Sequence, residues 1–332
     1  MQEMRYLGSK TMLLEQIHQL TKGLENGIFC DPFGGIGTVG GFMKKNGYQV
    51  ITGDLLNFAY YFQCSLIAFD EKMEFERLKR YLGIYTTKDL EMYLSLVRKQ
   101  EGWLIEEYAR KRRFFTVDNA CHIQACIDCI GSWYGNSIID EKERILLLAS
   151  LINSFDKVAN TAGTYYAYLK QFYRKAIKPF QFSLLQSVEG GVGYSYKMDA
   201  KDLVKQTKCD ILYLDPPYNN RNYASYYHLP ETISLGIEPK PVGKSGIYHS
   251  HNSRSVYNGR KATEAFEELI NSADAQCIIF HYSDDGLIDI AAAKSILQKK
   301  GSRFEEHYLD CRGYTTTKES INCKHHIMKV SI

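Results

Sequence analysis

The sequence predicts an α/β protein whose sheet of mostly parallel strands is interrupted by a long helical block. Near both ends of the chain, short apolar runs that fit buried strands alternate with amphipathic helical patterns. Between them, residues 58–175 carry long helical patterns rich in Tyr, Lys, Arg and Glu, without strand alternation. A chain of 332 residues that is 45% hydrophobic suits one large interrupted domain or two domains.

The first elements predict a β-α-β unit that follows an opening helix. We expect this helix at residues 11–24, with leucine and isoleucine on one face and Gly27 closing it. A strand at 28–30 then leads into the glycine-rich turn "DPFGGIG" and a helix that ends at Gly47. A second strand follows at 48–52.

The alternation of strands and helices resumes near residue 193. We expect strands at 194–198, 210–214, 277–280, 303–309 and 324–331, with helices between them that include one at 262–273. Residues 236–261 are polar, hold two prolines and several glycines, and predict a long loop. Parallel strands end at the same edge of a sheet, and ligands bind at that edge in this class of fold.

Composition says little about partners, because the net charge is only +3. Nine cysteines lack regular pairing and the N-terminus lacks an apolar signal core, so we expect a reduced protein of the cytoplasm. No stretch approaches the roughly 18 apolar residues of a membrane span, and no membrane partner is expected. Cys121, Cys126 and Cys129 beside His122 lack the second half of a zinc pattern, so we expect no metal site.

Aspartates stand at the ends of four predicted strands, at positions 31, 54, 199 and 215. The turn "DPFGGIG" fits a phosphate-binding loop poorly, because Asp31 puts a carboxylate where a pyrophosphate would sit at a helix N-terminus. This argues against a nicotinamide dehydrogenase. A positively charged ligand suits the turn better, and S-adenosylmethionine carries a sulfonium and an ammonium but no phosphate.

The neighbouring residues complete the predicted cofactor site. Gly35 and Gly37 would let the backbone come close to the ligand. Asp54, after the second strand, is placed to accept hydrogen bonds from ribose hydroxyls. Asp199 and Ala200, after the next strand, would lie near the adenine ring of the cofactor.

Lys10, in the segment "MRYLGSK", has two interpretations that the residue pattern leaves open. Its ammonium could lie on the surface of its helix. Alternatively, it could meet the carboxylate of the cofactor, with Tyr6 and Gly8 shaping the floor of the pocket.

The segment "DILYLDPPYNN" joins an apolar strand to an acid, two prolines and a tyrosine. The exocyclic amine of adenine is a poor nucleophile, because its lone pair is delocalised into the ring. Acceptors aimed at both N–H protons would favour the tetrahedral geometry that attack requires, and the Asp215 carboxylate and the Pro216 carbonyl are two such acceptors. Pro217 restricts the turn, and Tyr218 offers a ring on which a flipped base could stack.

These motifs carry a specific resemblance. "RYLGSK", "DPFGGIG" and "DPPY", in this order, resemble the D12 class of DNA adenine-N6 methyltransferases, which includes the Dam-like enzymes. "NTAGTYYAYLKQFYRK" and "NRNYASYYHLPETI" resemble segments of restriction-associated members related to the FokI-type methylases. The resemblance implies a Rossmann-like, S-adenosylmethionine-dependent methyltransferase sheet with a helical target-recognition insertion. The catalytic domain would be 1–57 and 190–332, the insertion 58–189, and the loop 236–261 a candidate DNA contact.

The resemblance also implies roles for individual residues. Cofactor contacts fall on Tyr6, Gly8, Lys10, Asp31, Phe33, Gly35, Gly37, Asp54, Asp199, Ala200 and Asp215. The catalytic motif is Asp215, Pro216, Pro217 and Tyr218. Candidate DNA contacts are Lys170, Arg174, Lys175, Lys178, Arg221 and Asn222. The basic residues among these are also typical of a solvated surface, and the resemblance favours phosphate contacts for them.

The predicted function is site-specific transfer of a methyl group from S-adenosylmethionine to N6 of an adenine flipped out of double-stranded DNA. A restriction-modification system is the expected setting, with a cognate restriction endonuclease as a candidate partner. Two alternatives remain, an RNA adenine-N6 methyltransferase and a non-catalytic DNA-binding or specificity subunit of the same fold. Cytosine-N4 and protein-glutamine methyltransferases are disfavoured, because they usually have Ser or Asn in place of Asp215.

Overall fold

The computed structural model describes residues 4–8, 10–220, 222–248, 255–284, 286–312 and 322–332. The chain divides into two compact units. The sheet unit comprises Lys10–Leu55, Val188–Asn222 and Ser253–Ile332, and the helical unit comprises Met1–Ser9, Leu56–Ser187 and Tyr223–Asn252. The first nine residues and Tyr223–Asn252 thus group with the helices, although the sequence analysis places them in the catalytic domain.

The sheet unit is built on seven strands within the described residues. They are β1 (Ile28–Asp31), β2 (Gln49–Asp54), β3 (Gly193–Lys197), β4 (Lys208–Leu214), β5 (Asp274–Ser283), β6 (Arg303–Arg312) and β7 (Asn322–Ser331). Their order across the sheet is β3-β2-β1-β4-β5-β7-β6. The first five are mutually parallel, and β7 pairs antiparallel with both β5 and β6. The prediction of an α/β fold with a mostly parallel sheet is confirmed.

The helices alternate with these strands and fill the block between β2 and β3. They are α1 (Leu14–Gln19), α2 (Thr38–Lys45), α3 (Asn57–Gln63), α4 (Glu76–Leu82), α5 (Thr87–Leu96), α6 (Trp103–Ile105), α7 (Val117–Gly135), α8 (Glu141–Asp156), α9 (Ala200–Gln206), α10 (Tyr223–Tyr226), α11 (His228–Leu235), α12 (Ala262–Ser272) and α13 (Ile290–Lys300). Single π-helical turns follow α3 and α6 at Cys64–Ala68 and Glu106–Arg110, and a 3-10 turn lies at Val256–Asn258. No helix in the described ranges is both long enough and apolar enough to cross a membrane.

The core of the sheet unit fixes the central strands. Leu212 and Leu214 on β4 and Ile278 and Phe280 on β5 are almost fully buried, as expected for parallel strands covered on both faces. The ring of Phe266 on α12 lies 4.4 Å from that of Phe280, measured between centroids. The parallel pairing of β2, β1 and β4 brings their carboxyl ends to one edge of the sheet.

The opening helix is shorter than predicted. The expected helix at 11–24 is wrong at both ends, because α1 covers only Leu14–Gln19. The hydroxyl of Thr21 donates to the carbonyl of His18 at 2.7 Å and so competes with the helical hydrogen-bond pattern. Gly23, with φ of +88°, then turns the chain away.

The helical block also ends earlier than predicted. Helices run only to Asp156, and the described chain from 157 to 192 has no helix and no strand beyond an isolated bridge between Thr161 and Tyr168. Asn160 is fully buried, and its amide bonds the carbonyls of Arg113 and Leu169. The bond to Leu169 occupies a carbonyl of this segment that a continuing helix would have paired with a backbone N–H.

The helical unit is held by polar contacts at helix starts as well as by its core. The Glu231 carboxylate on α11 accepts hydrogen bonds from the backbone N–H groups of Asn57 and Phe58 at 3.1 Å each. It therefore caps the N-terminus of α3, where an anion is favoured by the helix dipole. At the start of α8, Asp140 and Glu143 form a reciprocal capping box.

Candidate active site

Three strands and one helix of the sheet unit present the predicted acids. Asp31 and Asp54 are the last residues of β1 and β2, and Asp215 directly follows β4. Asp199 is the N-cap of α9, with its carboxylate accepting from the backbone N–H of Lys201 at 2.9 Å. Because β2, β1 and β4 are adjacent and parallel, the acids that end them lie at the same edge of the sheet.

Asp31 is nearly fully buried, with 2% of its surface exposed. Its carboxyl accepts one hydrogen bond of 3.2 Å from the backbone N–H of Phe33. Burial, together with the negative charge of Asp215, raises the pKa of Asp31 to about 8. A buried acid with a raised pKa is favourable next to a cation, since the positive charge would offset the cost of ionising the acid.

The glycine-rich turn is fastened to the end of β2. Gly34 donates to the carbonyl of Gly53 at 3.0 Å, and Gly35 donates to the Asp54 carboxylate at 3.2 Å. Gly35 and Gly37 have φ of +51° and +86°, a region that side chains strongly disfavour. The turn therefore favours glycine at both positions, most strongly at Gly37, and α2 begins directly after it.

The remaining predicted cofactor residues of the sheet unit lie beside these elements. The Phe33 ring meets the Tyr257 ring edge-on at 5.0 Å. The backbone N–H of Met198 donates to the carbonyl of Asp54 at 3.2 Å and so ties the end of β3 to the end of β2. Ala200, 5% exposed, opens α9 next to this tie.

Asp215 is held by a buried lysine. The Lys10 ammonium lies 2.6 Å from Oδ2 of Asp215, and the two side chains are 6% and 19% exposed. The interpretation of Lys10 as a helix-surface residue is therefore wrong. Burial would raise the pKa of the Asp215 carboxyl, but the charge of Lys10 and the contact with His281 hold this pKa below its usual value. At neutral pH, Asp31 is therefore mostly protonated and Asp215 is ionised, although the two acids lie at the ends of neighbouring strands.

The loop that carries Pro216, Pro217 and Tyr218 is anchored through its backbone. The carbonyl of Tyr218 accepts from the N–H of Leu287 at 3.0 Å. The carbonyl of Asn219 accepts from the side-chain amide of Asn258 at 2.7 Å, and Asn258 is 2% exposed. These bonds fix the exit of the loop.

Two histidines that were not predicted as site residues form a chain of contacts that begins at Asp215. His281 on β5 is 1% exposed, and its Nδ1 lies 3.4 Å from Oδ1 of Asp215. His325 on β7 places its Nδ1 3.0 Å from Nε2 of His281. The position of His281 near the carboxyl end of a parallel strand, in "FHYSDDG", was a usable sign, whereas nothing local marks His325.

Tyr6 and Gly8 belong to the helical unit. The Tyr6 ring stacks on that of Tyr227 with centroids 5.0 Å apart, and the backbone N–H of Leu7 donates to the Tyr227 hydroxyl at 2.6 Å. Gly8 has φ of +84°. Their role as cofactor contacts remains a prediction.

The predicted DNA contacts have different surroundings. Lys170, Arg174 and Lys178 are exposed on the helical unit. Lys175 is half-buried and donates to the backbone carbonyl of Asp156 at 2.8 Å, so its ammonium already has a protein partner. Asn222 is half-buried in the sheet unit, and Arg221 lies outside the described residues.

Comparison with known proteins gives a consistent set of similarities. The profile of the family described as D12 class N6 adenine-specific DNA methyltransferase matches residues 6–282. Type II methyltransferase M.NlaIII of Neisseria lactamica is 33% identical over 313 residues, which cover 90% of this chain and 89% of that protein. Type II methyltransferase M.FokI of Planomicrobium okeanokoites is 35% identical over 315 residues, which cover 90% of this chain and 47% of that protein. Modification methylase StsI of Streptococcus sanguinis is 30% identical over 306 residues, covering 89% of this chain and 46% of that protein. The chain thus spans most of the first relative and less than half of the other two.

Proposed function

Since the chain belongs to the D12 class of N6 adenine-specific DNA methyltransferases, we propose that it methylates N6 of an adenine flipped out of duplex DNA, with S-adenosylmethionine as methyl donor. The resemblance carried by the three sequence motifs is confirmed. The observation that carries the proposal is the Asp215 carboxylate, held by Lys10 directly after β4 in a loop of two prolines and a tyrosine.

The residues around Asp31 suit this cofactor. S-adenosylmethionine supplies the methyl group on a positively charged sulfur and carries a second positive charge on its ammonium. The buried Asp31 carboxyl would be stabilised in its ionised form by either charge. Gly35 and Gly37 have no side chains, so a ligand could approach the backbone of the turn closely. Asp54 would accept from the ribose, and Asp199 with Ala200 would border the adenine of the cofactor.

Asp215 and Pro216 would act on the target amine. The two N–H protons of adenine N6 need two acceptors, which the carboxylate and the Pro216 carbonyl supply. Lys10 keeps Asp215 ionised, so that the acceptor is present throughout the neutral range. The Tyr218 ring would support the flipped base by stacking. Attack on the methyl group releases the sulfur as a neutral thioether and leaves the positive charge on N6. This methylated ammonium is acidic and can then lose its proton without a dedicated base.

Three exposed basic residues of the helical unit would contact DNA phosphates. We expect the triple variant Lys170→Ala, Arg174→Ala and Lys178→Ala to bind duplex DNA more weakly, and equally so for all sequences. The slope of log affinity against log salt concentration should become shallower by about 0.9 for each phosphate that the variant no longer neutralises.

Fluorescence anisotropy with a labelled duplex, measured over a series of salt concentrations, checks this expectation. Lys88→Ala is the matched control, because Lys88 is an exposed lysine of the same unit that has no predicted role. An unchanged salt slope in the triple variant would remove these residues from the DNA interface.

The activity is tested by transfer of tritium from labelled S-adenosylmethionine to duplex DNA and, in parallel, to RNA. We expect labelled N6-methyladenine in DNA only. Label in RNA alone would favour the RNA adenine-N6 alternative, and no label in either would favour a non-catalytic specificity subunit. Methylation-sensitive sequencing of DNA from cells that express the chain would then identify the recognised sequence.

The biological setting follows from the similarity to type II and modification methylases. We place the protein in a restriction-modification system with a cognate endonuclease as partner, acting in the cytoplasm where it meets DNA. The insertion 58–189 is the proposed target-recognition region. The loop 236–261, whose residues 249–254 lie outside the described part of the chain, is a proposed DNA contact.

A further inference from the structure

His281 and His325 form a chain of side chains that starts at Asp215. A role for them in methyl transfer rests on the catalytic function proposed for Asp215. His281 is buried in the sheet unit, and its Nδ1 lies 3.4 Å from Oδ1 of Asp215. At this distance the buried Nδ1 has no hydrogen-bond partner among the described residues. Contacts in a catalytic site often shorten when substrate binds, and a small shortening would give Nδ1 the Asp215 carboxylate as its partner.

The sheet register brings the second histidine to the first. On the antiparallel pair β5 and β7, His325 is opposite Ser283 and His281 is opposite Ile327. The two histidines are therefore diagonal neighbours on one face of the sheet. Their rings are nearly parallel, at an angle of 25° with centroids 5.0 Å apart, and meet edge to edge, with His325 Nδ1 3.0 Å from His281 Nε2.

One arrangement of protons satisfies both contacts. If Nδ1 of His281 carries its proton, it donates to Asp215, and Nε2 then accepts from Nδ1–H of His325. In the opposite arrangement a ring lone pair would face the carboxylate, which is repulsive. Burial, together with the nearby charge of Lys10, lowers the pKa of His281 to about 4, so the ring is neutral and has a single proton to place.

We propose that His281 is a positioning residue that orients the Asp215 carboxylate, and that His325 fixes the His281 tautomer able to do so. Lys10 holds Oδ2 at 2.6 Å, and His281 Nδ1, 3.4 Å from Oδ1, would become the donor to the second carboxylate oxygen once this contact shortens. With both oxygens held, the plane of the carboxylate is set, and its remaining lone pairs keep one direction toward the target amine. Preorganisation of this kind matters because small misplacements of a reacting group slow transfer strongly.

Charged and titratable groups face His281 from three parts of the sheet unit. Asp215 and Lys10 face His281 from the end of β4 and from the segment before α1, and His325 faces it from β7. The Tyr218 ring meets His325 edge-on at 6.5 Å. The histidine chain therefore connects the acceptor and the ring of the same catalytic loop.

The test compares three substitutions of His281. We expect His281→Leu to lower kcat by on the order of 10- to 100-fold, while KM for DNA and for the cofactor changes little. His281→Asn should recover most of kcat, because its amide nitrogen can replace the Nδ1–H donor. His281→Gln places its donor farther along the side chain and should recover less.

His325→Leu should lower kcat less than His281→Leu, and the double variant should be no slower than His281→Leu alone, because both act through one chain of contacts. His326→Leu is the matched control, since this neighbouring histidine contacts Glu306 at 3.0 Å instead of His281. Thermal unfolding of every variant separates a loss of kcat from a loss of folded protein.

A wild-type kcat in His281→Leu would overturn the proposal, and so would a loss that Asn does not recover. A change confined to KM for the cofactor would also overturn it. The proposed function fails differently: in that case the unchanged chain transfers no methyl group to DNA, or its Asp215 variants transfer it as fast as the unchanged chain does.

Discussion

We expect Asp215→Ala to lower kcat for methyl transfer to duplex DNA by about 1,000-fold or more, while binding of S-adenosylmethionine stays measurable. The reason is that the variant loses the charged acceptor for the N6 amine. Removing a single preorganised hydrogen-bonding group from a transition-state site costs about 100- to 1,000-fold, and here the group also carries the charge. A filter assay with tritiated cofactor measures kcat, and isothermal titration calorimetry measures cofactor binding.

The same variant leaves the Lys10 ammonium buried without its carboxylate, which costs about 3–5 kcal/mol in buried ion pairs. Asp215→Asn is therefore the necessary second variant. Its amide oxygen can still accept from Lys10 and from one N6 proton, so we expect a folded protein with a smaller but clear loss of kcat. Asp202→Asn, an exposed acid on α9, is the matched control. Near wild-type transfer by both Asp215 variants would contradict the proposed mechanism.

Cofactor binding is expected to release a proton from Asp31. In the free protein the pKa of this carboxyl is raised to about 8, so it is mostly protonated at pH 7. A positively charged ligand favours the ionised form and lowers this pKa. Affinity should therefore rise with pH, by up to about tenfold per unit between pH 6 and 8, and level off above the pKa of the free protein.

Calorimetry in two buffers with different ionisation enthalpies gives the number of protons released. Asp31→Asn keeps an oxygen for the N–H of Phe33 but cannot ionise, so it should bind the cofactor more weakly and without this pH dependence. Measuring the variant over the same pH series also accounts for titration of the cofactor itself. S-adenosylhomocysteine, which lacks the sulfonium charge, should show a weaker dependence. An equal pH dependence in the variant and the wild type would rule out Asp31 as the group that titrates.

Local patterns predicted the strands better than the helices. The apolar run at 210–214 is found within β4, and the acids expected at strand ends are found there. Buried parallel strands can be recognised in the sequence, because they appear as nearly continuous apolar runs. The predictions of a helix at 11–24 and of helix in the last part of the helical block were wrong. In both places a side chain, that of Thr21 or Asn160, forms hydrogen bonds with the backbone, and hydrophobic periodicity does not reveal such bonds.

The sequence by itself determined the class of fold, the glycine turn, and the run of acid, two prolines and tyrosine that carries the family resemblance. These features are contiguous in the chain, and their physical meaning depends on neighbours only a few residues away. Only the tertiary structure decided that β7 lies between β5 and β6, that Lys10 is buried on Asp215, and that His281 and His325 stand behind it. The charge of Asp215 and the tautomer of His281 depend on which groups lie next to them in space. The order of the strands decides which groups become neighbours, and local sequence patterns do not encode that order.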